Sequence, residues 1–241
     1  MSVVFLAELV GTVILIVLGN GVVANVMLEK SYMKGAGAVQ ISLGWGLAVM
    51  LPAFIFGGAS GAHFNPALTL AFAAEGTIAW RLVPAYIAGQ MLGAFLGSVL
   101  VWALFYGHLK ATDDAKLKRS CFCTGPSIPC VPCNFLAEYV GTFLLVFAVK
   151  GIAQIDGCAG GLSYVFVFGI IAAICMSLGG LTGCAINPAR DLSARLAHAV
   201  LPIPGKCDSN WHYAWIPVVA PILGALTAVA LYAVLPLPCV S

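Results

Sequence analysis

Two Asn-Pro-Ala triplets, Asn65-Pro66-Ala67 and Asn187-Pro188-Ala189, are the residues of this chain best placed to do chemistry, and that chemistry is hydrogen bonding. An Asn amide carries one carbonyl acceptor and two N–H donors. Asn is also a favoured helix N-cap, and Pro at the first helical position has no N–H to leave unsatisfied. Asn65 therefore caps a helix of about ten residues, and Asn187 caps one running from Pro188 to about Ala199. Ten residues rise roughly 15 Å, half the hydrocarbon thickness of a bilayer. A Gly-rich approach precedes each cap, and non-helical backbone at that depth is tolerated only in a wet cavity or inside protein. The stretches Gly61-Ala62-His63-Phe64 and Gly183-Cys184-Ala185-Ile186 are thus predicted to turn a ladder of carbonyls toward a pore. Asn65 and Asn187 add side-chain donors where the two helices meet. Each helix N-terminus brings about half a positive charge to that point. Cations and protons are repelled there, while a neutral hydrogen-bonding molecule loses little.

Such half-helices need a membrane-spanning frame. Apolar residues make up 61% of the chain and charged residues only 8%, against roughly 25% charged in a soluble domain. Six apolar runs approach the length of about 20 residues that a spanning helix needs: Val3–Val26, Val39–Phe56, Leu82–Tyr106, Phe135–Ala153, Leu162–Leu178 and Ala214–Leu235. Their continuity fits helices, because barrel strands would alternate with a period of two. The first run is too long, and too poor in preceding basic residues, for a cleaved signal peptide. The net charge of +2 carries no basic cluster or aromatic ladder, which excludes a nucleic-acid partner.

The frame is duplicated. Ala7-Glu8-Leu9-Val10-Gly11-Thr12 recurs as Ala137-Glu138-Tyr139-Val140-Gly141-Thr142, and the Gly-rich approach with its Asn-Pro-Ala recurs as well. Gly89, Gly93 and Gly97 answer to Ala220, Gly224 and Ala228, two small-xxx-small ridges that let helix backbones approach closely. Three spans per copy is an odd number, so the second copy enters from the opposite side. The fold class predicted is an all-α membrane protein with six transmembrane helices, two re-entrant half-helices and an inverted-topology duplication. Residues 1–241 form one domain, with a first repeat at 1–110, a second at 134–241 and a connecting loop at 111–133.

Ionisable groups inside a membrane are functional candidates by default. Arg190 follows the second triplet, and its neighbour Asp191 points about 100° away on the helix, so it is read as bracing or capping and not as a solute contact. Glu8 and Glu138 occupy equivalent places, and a proton relay is one reading of them. His63 offers its carbonyl to the pore, with a gating imidazole as the alternative. Cys121, Cys123, Cys130 and Cys133 cluster between the repeats. Disulfides or free thiols suit their spacing better than zinc, because Cys-x-Cys is not the usual second half of a zinc site. No cofactor or metal is expected, and no nucleophile–base pair marks an enzyme.

At these residues the sequence resembles the aquaporin family over nearly its whole length, and within it the aquaglyceroporin or glycerol-facilitator branch. Asp191 after Arg190, Arg195 four residues on, the Pro221-Ile222 pair and Tyr106 are similar to that branch. The resemblance places the selectivity filter on Trp45, Cys175, Cys184 and Arg190, with Trp45 as an apolar plate and Arg190 as a fork of donors. It departs at Cys175, where the branch has Gly, and at Cys184, where it has a large aromatic. The family's glutamates accept hydrogen bonds from the loops ahead of the half-helices, which Glu8 and Glu138 are expected to do here. Glycerol and water are the expected solutes of a homotetramer with a pore in each protomer. The alternative is a mainly water-conducting or broad-specificity pore, widened by Cys175 and Cys184. The resemblance also implies a plasma or inner membrane with both termini cytoplasmic. Basic residues in the loops after spans one, three and five argue for the reverse. The family's orientation is preferred because Arg190 and Arg195 sit in an inserted helix, outside that count.

Overall fold

The computed structural model describes residues 2–158 and 160–235. Its α-helices are α1 (Ser2–Met27), α2 (Ala38–Ser60), α3 (Pro66–Ala74), α4 (Val83–Leu104), α5 (Tyr106–Ala111), α6 (Ala115–Ser120), α7 (Val131–Ile152), α8 (Gly161–Thr182), α9 (Pro188–Val200) and α10 (Ile216–Val234). Short 3-10 turns at Trp80–Leu82 and Trp211–Tyr213 lead into α4 and α10. Six helices are long and apolar enough to cross a membrane, and α3 and α9 are the two shorter ones behind the Asn-Pro-Ala caps.

The ends of the spans shift for local reasons. The second runs past Phe56 to Ser60 and stops where Gly61 takes φ 79° and donates to the Gly57 carbonyl at 2.8 Å. The fifth ends in the same way, at Gly183 with φ 88° and a bond to Gly179. Both are left-handed caps, where glycine carries no steric penalty. The third span stops at Leu104, and Tyr106 opens α5, half-exposed and edge-on to Trp102. The segment 111–133 is not bare loop: Asp114 caps α6 by accepting from the Lys116 and Leu117 amides, and α7 already begins at Val131.

The two copies pack alike. Along α4, a methyl added at Gly89 would lie 2.6 Å from the Phe5 carbonyl, and one at Gly93 would lie 2.4 Å from that of Leu9. In the second copy a methyl at Gly224 would lie 2.2 Å from the Tyr139 carbonyl. Small residues there let α1 meet α4, and α7 meet α10, backbone to backbone. Each half-helix crosses over, with α3 packed chiefly on α10 and α9 on α4. The inverted copies are therefore interlocked, and the half-helices meet between them.

Candidate functional site

The two extended stretches share an unusual backbone. Ala62 and Phe64 have φ 55° and 48°, and Cys184 and Ile186 have φ 52° and 41°. Left-handed conformations cost L-residues roughly 1–2 kcal/mol each. The same polar clamp holds both stretches. Glu8 accepts from the His63 and Phe64 amides at 3.1 and 2.7 Å and from the Ser60 hydroxyl at 2.5 Å. Glu138 accepts from the Ala185 and Ile186 amides at 3.0 and 2.7 Å and from the Thr182 hydroxyl at 2.6 Å. With their amides turned back to a buried carboxylate, residues of the stretch can face their carbonyls the other way. Ser60 and Thr182 escaped the sequence reading, although the repeat sets a hydroxyl at both places. Gln90, a second side-chain donor to Glu8 at 2.7 Å, had no counterpart to reveal it.

Asn65 and Asn187 cap their helices, accepting from Ala67 N, and from Ala189 N and Arg190 N. Their amides also cross between the copies. Asn65 Nδ2 donates to the Ile186 carbonyl at 2.8 Å, and Asn187 Nδ2 donates to the Phe64 carbonyl at 2.7 Å. One N–H of each amide is thus spent joining the loops, and one remains for the cavity. The same bonds occupy the last carbonyl of each ladder. Phe64 is fully buried, its ring lying where a side chain on Gly11 would have to go. Gly183 ends α8, beside Thr124.

A cavity of about 300 Å³ runs along both loops. Its lining brings together Gly61, Ala62 and His63 from the first stretch, Cys184, Ala185 and Ile186 from the second, and Asn65, Asn187 and Arg190. Apolar side chains such as Leu15, Val49, Phe72, Leu145 and Ile171 complete it. Trp45, Cys175, Cys184 and Arg190 come together on this cavity. The Arg190 guanidinium lies over the Trp45 ring, 4.2 Å from its centroid. Its Nη1 donates to the Phe122 carbonyl at 3.2 Å and toward Asn20 Oδ1 at 3.5 Å, and its Nε has no partner among the described residues. Neither Glu8 nor Glu138 is among the described residues of the wall.

Behind Arg190 lies a buried ion pair. Arg195 Nε and Nη2 bind Asp191, each at 2.9 Å, and both side chains are fully buried. Asp191 also accepts from the Thr124 amide and hydroxyl, and Arg195 donates to the carbonyls of Thr124, Ser209 and Asn210. These bonds tie α9 to the connecting segment at Thr124 and to the segment between α9 and α10 at Ser209 and Asn210. Other basic residues of those segments act similarly. Lys118 donates to the Pro204 carbonyl, Arg119 to that of Asp208, and Lys206 to the last carbonyls of α9. Burial draws the Lys206 pKa down. Of the four clustered cysteines, Cys130 and Cys133 form a disulfide. Cys121 and Cys123 are free, and burial pushes both thiols up to about 12.

Six spanning helices, two half-helices capped nose to nose and a cavity lined by both loops at their meeting point define a membrane channel fold of inverted repeats. The sequence pattern of the major intrinsic protein family matches residues 2–232, and the chain belongs to that family. It is 48% identical over 229 residues to a probable glycerol uptake facilitator protein of Thermotoga maritima, covering 95% of this chain and 97% of that one. It is 51% identical over 220 residues to the glycerol uptake facilitator protein of Bacillus subtilis, covering 91% and 80%. The X-ray structure of the aquaglyceroporin from Plasmodium falciparum superposes with a TM-score of 0.85 at 29% identity, over 97% of this chain and 96% of that one.

Proposed function

We propose that this chain is a passive channel for glycerol and other small neutral solutes, with water, that excludes ions and protons. The observation that carries the reading is a cavity lined both by the hydrogen-bonding residues of the two loops and by aliphatic and aromatic side chains. A polyol has the same mixed chemistry, hydroxyls on a carbon backbone. In this reading Trp45, Cys175, Cys184 and Arg190 form the filter. Trp45 takes the carbon edge, and the guanidinium of Arg190, which lines the cavity, offers donors to a hydroxyl. Two capped helix N-termini at Asn65 and Asn187 keep protons and cations out. The names of the two bacterial relatives support the solute class.

Proteoliposomes in a stopped-flow light-scattering assay test it. Glycerol should enter faster than into empty vesicles, and an imposed proton gradient should leave the flux unchanged. Glycerol entry no faster than the lipid background sinks the reading. A coupled transporter would respond to the gradient, but Glu8 and Glu138 stand behind the loops, bonded to them. A broader, water-rich pore is the second reading, favoured by the partly exposed Cys184 where the branch carries a large aromatic. Cys184→Phe separates the two: it should raise discrimination against larger polyols roughly tenfold, the scale of one misfitted group in a pocket.

The further reading is of one domain in two inverted halves, 1–110 and 134–241, assembled as a homotetramer in the plasma or inner membrane with both termini cytoplasmic. Lys118, Arg119, Arg195 and Lys206 support that orientation, because they are consumed as tethers and so carry little weight in a loop-charge count. Membrane-impermeant thiol labelling of intact cells after mild reduction should reach Cys133, which is exposed. Labelling only after permeabilisation reverses the orientation.

A further inference from the structure

Cys175 and Cys184 are nine positions apart in the chain but adjacent in space, with the Cys175 thiol donating to Cys184 Sγ at 3.2 Å and no disulfide between them. The cap at Gly183 folds the chain back, so that Cys184 returns over the last turns of α8 to Cys175. Gly179 marks the convergence: a methyl built there would lie 3.7 Å from the Cys184 β-carbon and 4.0 Å from that of Cys175. Two thiols so close can bond after small side-chain rotations, since a disulfide requires neighbouring β-carbons. Both face the cavity, unlike the sealed Cys121 and Cys123. Arg190 lines the same cavity. The pair also lies beside the segment that leads to the disulfide at Cys130 and Cys133, because Gly125 and Ser127 donate to the carbonyls of Thr182 and Leu181.

We propose that Cys175 and Cys184 are a redox modification site, which a hydroperoxide entering the pore closes into a disulfide across the filter wall, slowing glycerol passage. The step balances with hydrogen peroxide as the two-electron oxidant. One thiolate attacks the O–O bond, which breaks to give a sulfenic acid and, with one proton, water. The second thiol attacks the sulfenic sulfur, the S–S bond forms, the S–O bond breaks and a second water leaves. Both sulfurs are oxidised, both peroxide oxygens are reduced, and a thiol reductant reverses the change. Hydrogen peroxide is itself small, neutral and hydrogen-bonding, so the cavity that suits a hydroxyl admits it. Closure removes two S–H groups from the cavity lining and pins the loop carrying Cys184 to α8. Fewer contacts and less give at the filter should affect a polyol more than water.

The slowed passage rests on the proposed glycerol flux, so the test reads the bond separately. Full-length protein in proteoliposomes is treated with hydrogen peroxide, alkylated, digested and examined by mass spectrometry, and parallel vesicles are assayed for glycerol and water entry. The expected result is a peptide pair linked through Cys175 and Cys184, with glycerol permeability down roughly tenfold, the scale of a lost partner in a discriminating site. Dithiothreitol should restore it. Cys175→Ser and Cys184→Ser, each measured against its own untreated flux, should lose the response. No link between the two residues, a link that leaves glycerol flux unchanged, or a response that survives in both variants would each overturn the proposal. Absent glycerol flux before oxidation, with the link still formed, would indict the solute assignment and not the thiol pair.

Discussion

The two re-entrant helices share one backbone plan but stand on different support. Each begins at a capping Asn with Pro in the first turn, follows a stretch of left-handed residues and leans on a buried glutamate. Behind α3, which is 9 residues long, the remaining support is neutral. The Thr69 hydroxyl reaches the Asn65 carbonyl and His63 Nδ1, each at 3.1 Å, Gln90 donates to it, and the His63 ring stacks on Tyr86. In α9, which is 13 residues long, Asp191 stands where Thr69 does, and its pair with Arg195 reaches out to Thr124, Ser209 and Asn210. Since the same caps and clamps form without a charged network in the first copy, holding the half-helix cannot be that network's main task. Its distinct effect is to fix the segment of Phe122 and Thr124, whose first carbonyl receives Arg190. One copy supplies a plain slot, while the other anchors Arg190, the cationic residue of the proposed filter.

The largest test of this contrast is Asp191→Asn beside Thr69→Ala. Breaking a buried ion pair leaves an uncompensated charge and costs about 3–5 kcal/mol. Thr69→Ala removes three neutral bonds but strands only His63 Nδ1, since Gln90 keeps Glu8 and the Asn65 carbonyl keeps the residue-69 amide, at about 1–3 kcal/mol. Unfolding of the purified protein in mixed micelles should show that gap. Equal losses would mean that the ion pair is no more than a hydroxyl's equivalent. The glutamates come next. A Gln at either place turns one accepting oxygen into a donor facing an amide, at a cost of about 1.5–3 kcal/mol for a bond to a charged group. Gln90 carries an unpartnered Oε1 beside Glu8, so Glu8→Gln can regain a bond there, and Glu138 has no such neighbour among its partners. Glu138→Gln should therefore lose more stability than Glu8→Gln, and the reverse order would remove Gln90 from the explanation.

What could be read from sequence alone divides along the same line. The half-helices were legible because Asn followed by Pro is a local signal, complete within two residues. The tight contacts of α1 with α4 were legible because small residues recur at a helical spacing. Bonds between distant segments were not: nothing in Asn65 or Asn187 announces that each donates to the other loop's last carbonyl. The role of the loop charges was hidden for a related reason. Lys118, Arg119 and Lys206 look like solvated markers of one membrane face, but their ammonium and guanidinium groups end on carbonyls supplied by segments far away in sequence or folded back from α9. Asn20 is the subtler case. A single amide in the first span has no repeat partner to flag it, and its nearness to Arg190 depends on how α1 packs.

Beneath the different supports, the helix contacts of the two copies should respond alike, and this is the smallest and most symmetric expectation. Gly93→Ala drives a methyl to 2.4 Å from the Leu9 carbonyl, and Gly224→Ala drives one to 2.2 Å from that of Tyr139. Both obstacles are backbone, which cannot rotate aside, so α4 must back away from α1, and α10 from α7. Overpacking of this kind costs about 1–3 kcal/mol. The half-helices pack across the copies, α3 on α10 and α9 on α4, so each substitution also disturbs the opposite loop. The two variants should lose stability within about 0.5 kcal/mol of each other in the same micelle titration, the usual margin for equivalent independent sites. A Gly224→Ala variant that fails to fold while Gly93→Ala is tolerated would show that the ion-pair anchoring stiffens the second copy throughout, leaving it less able to yield.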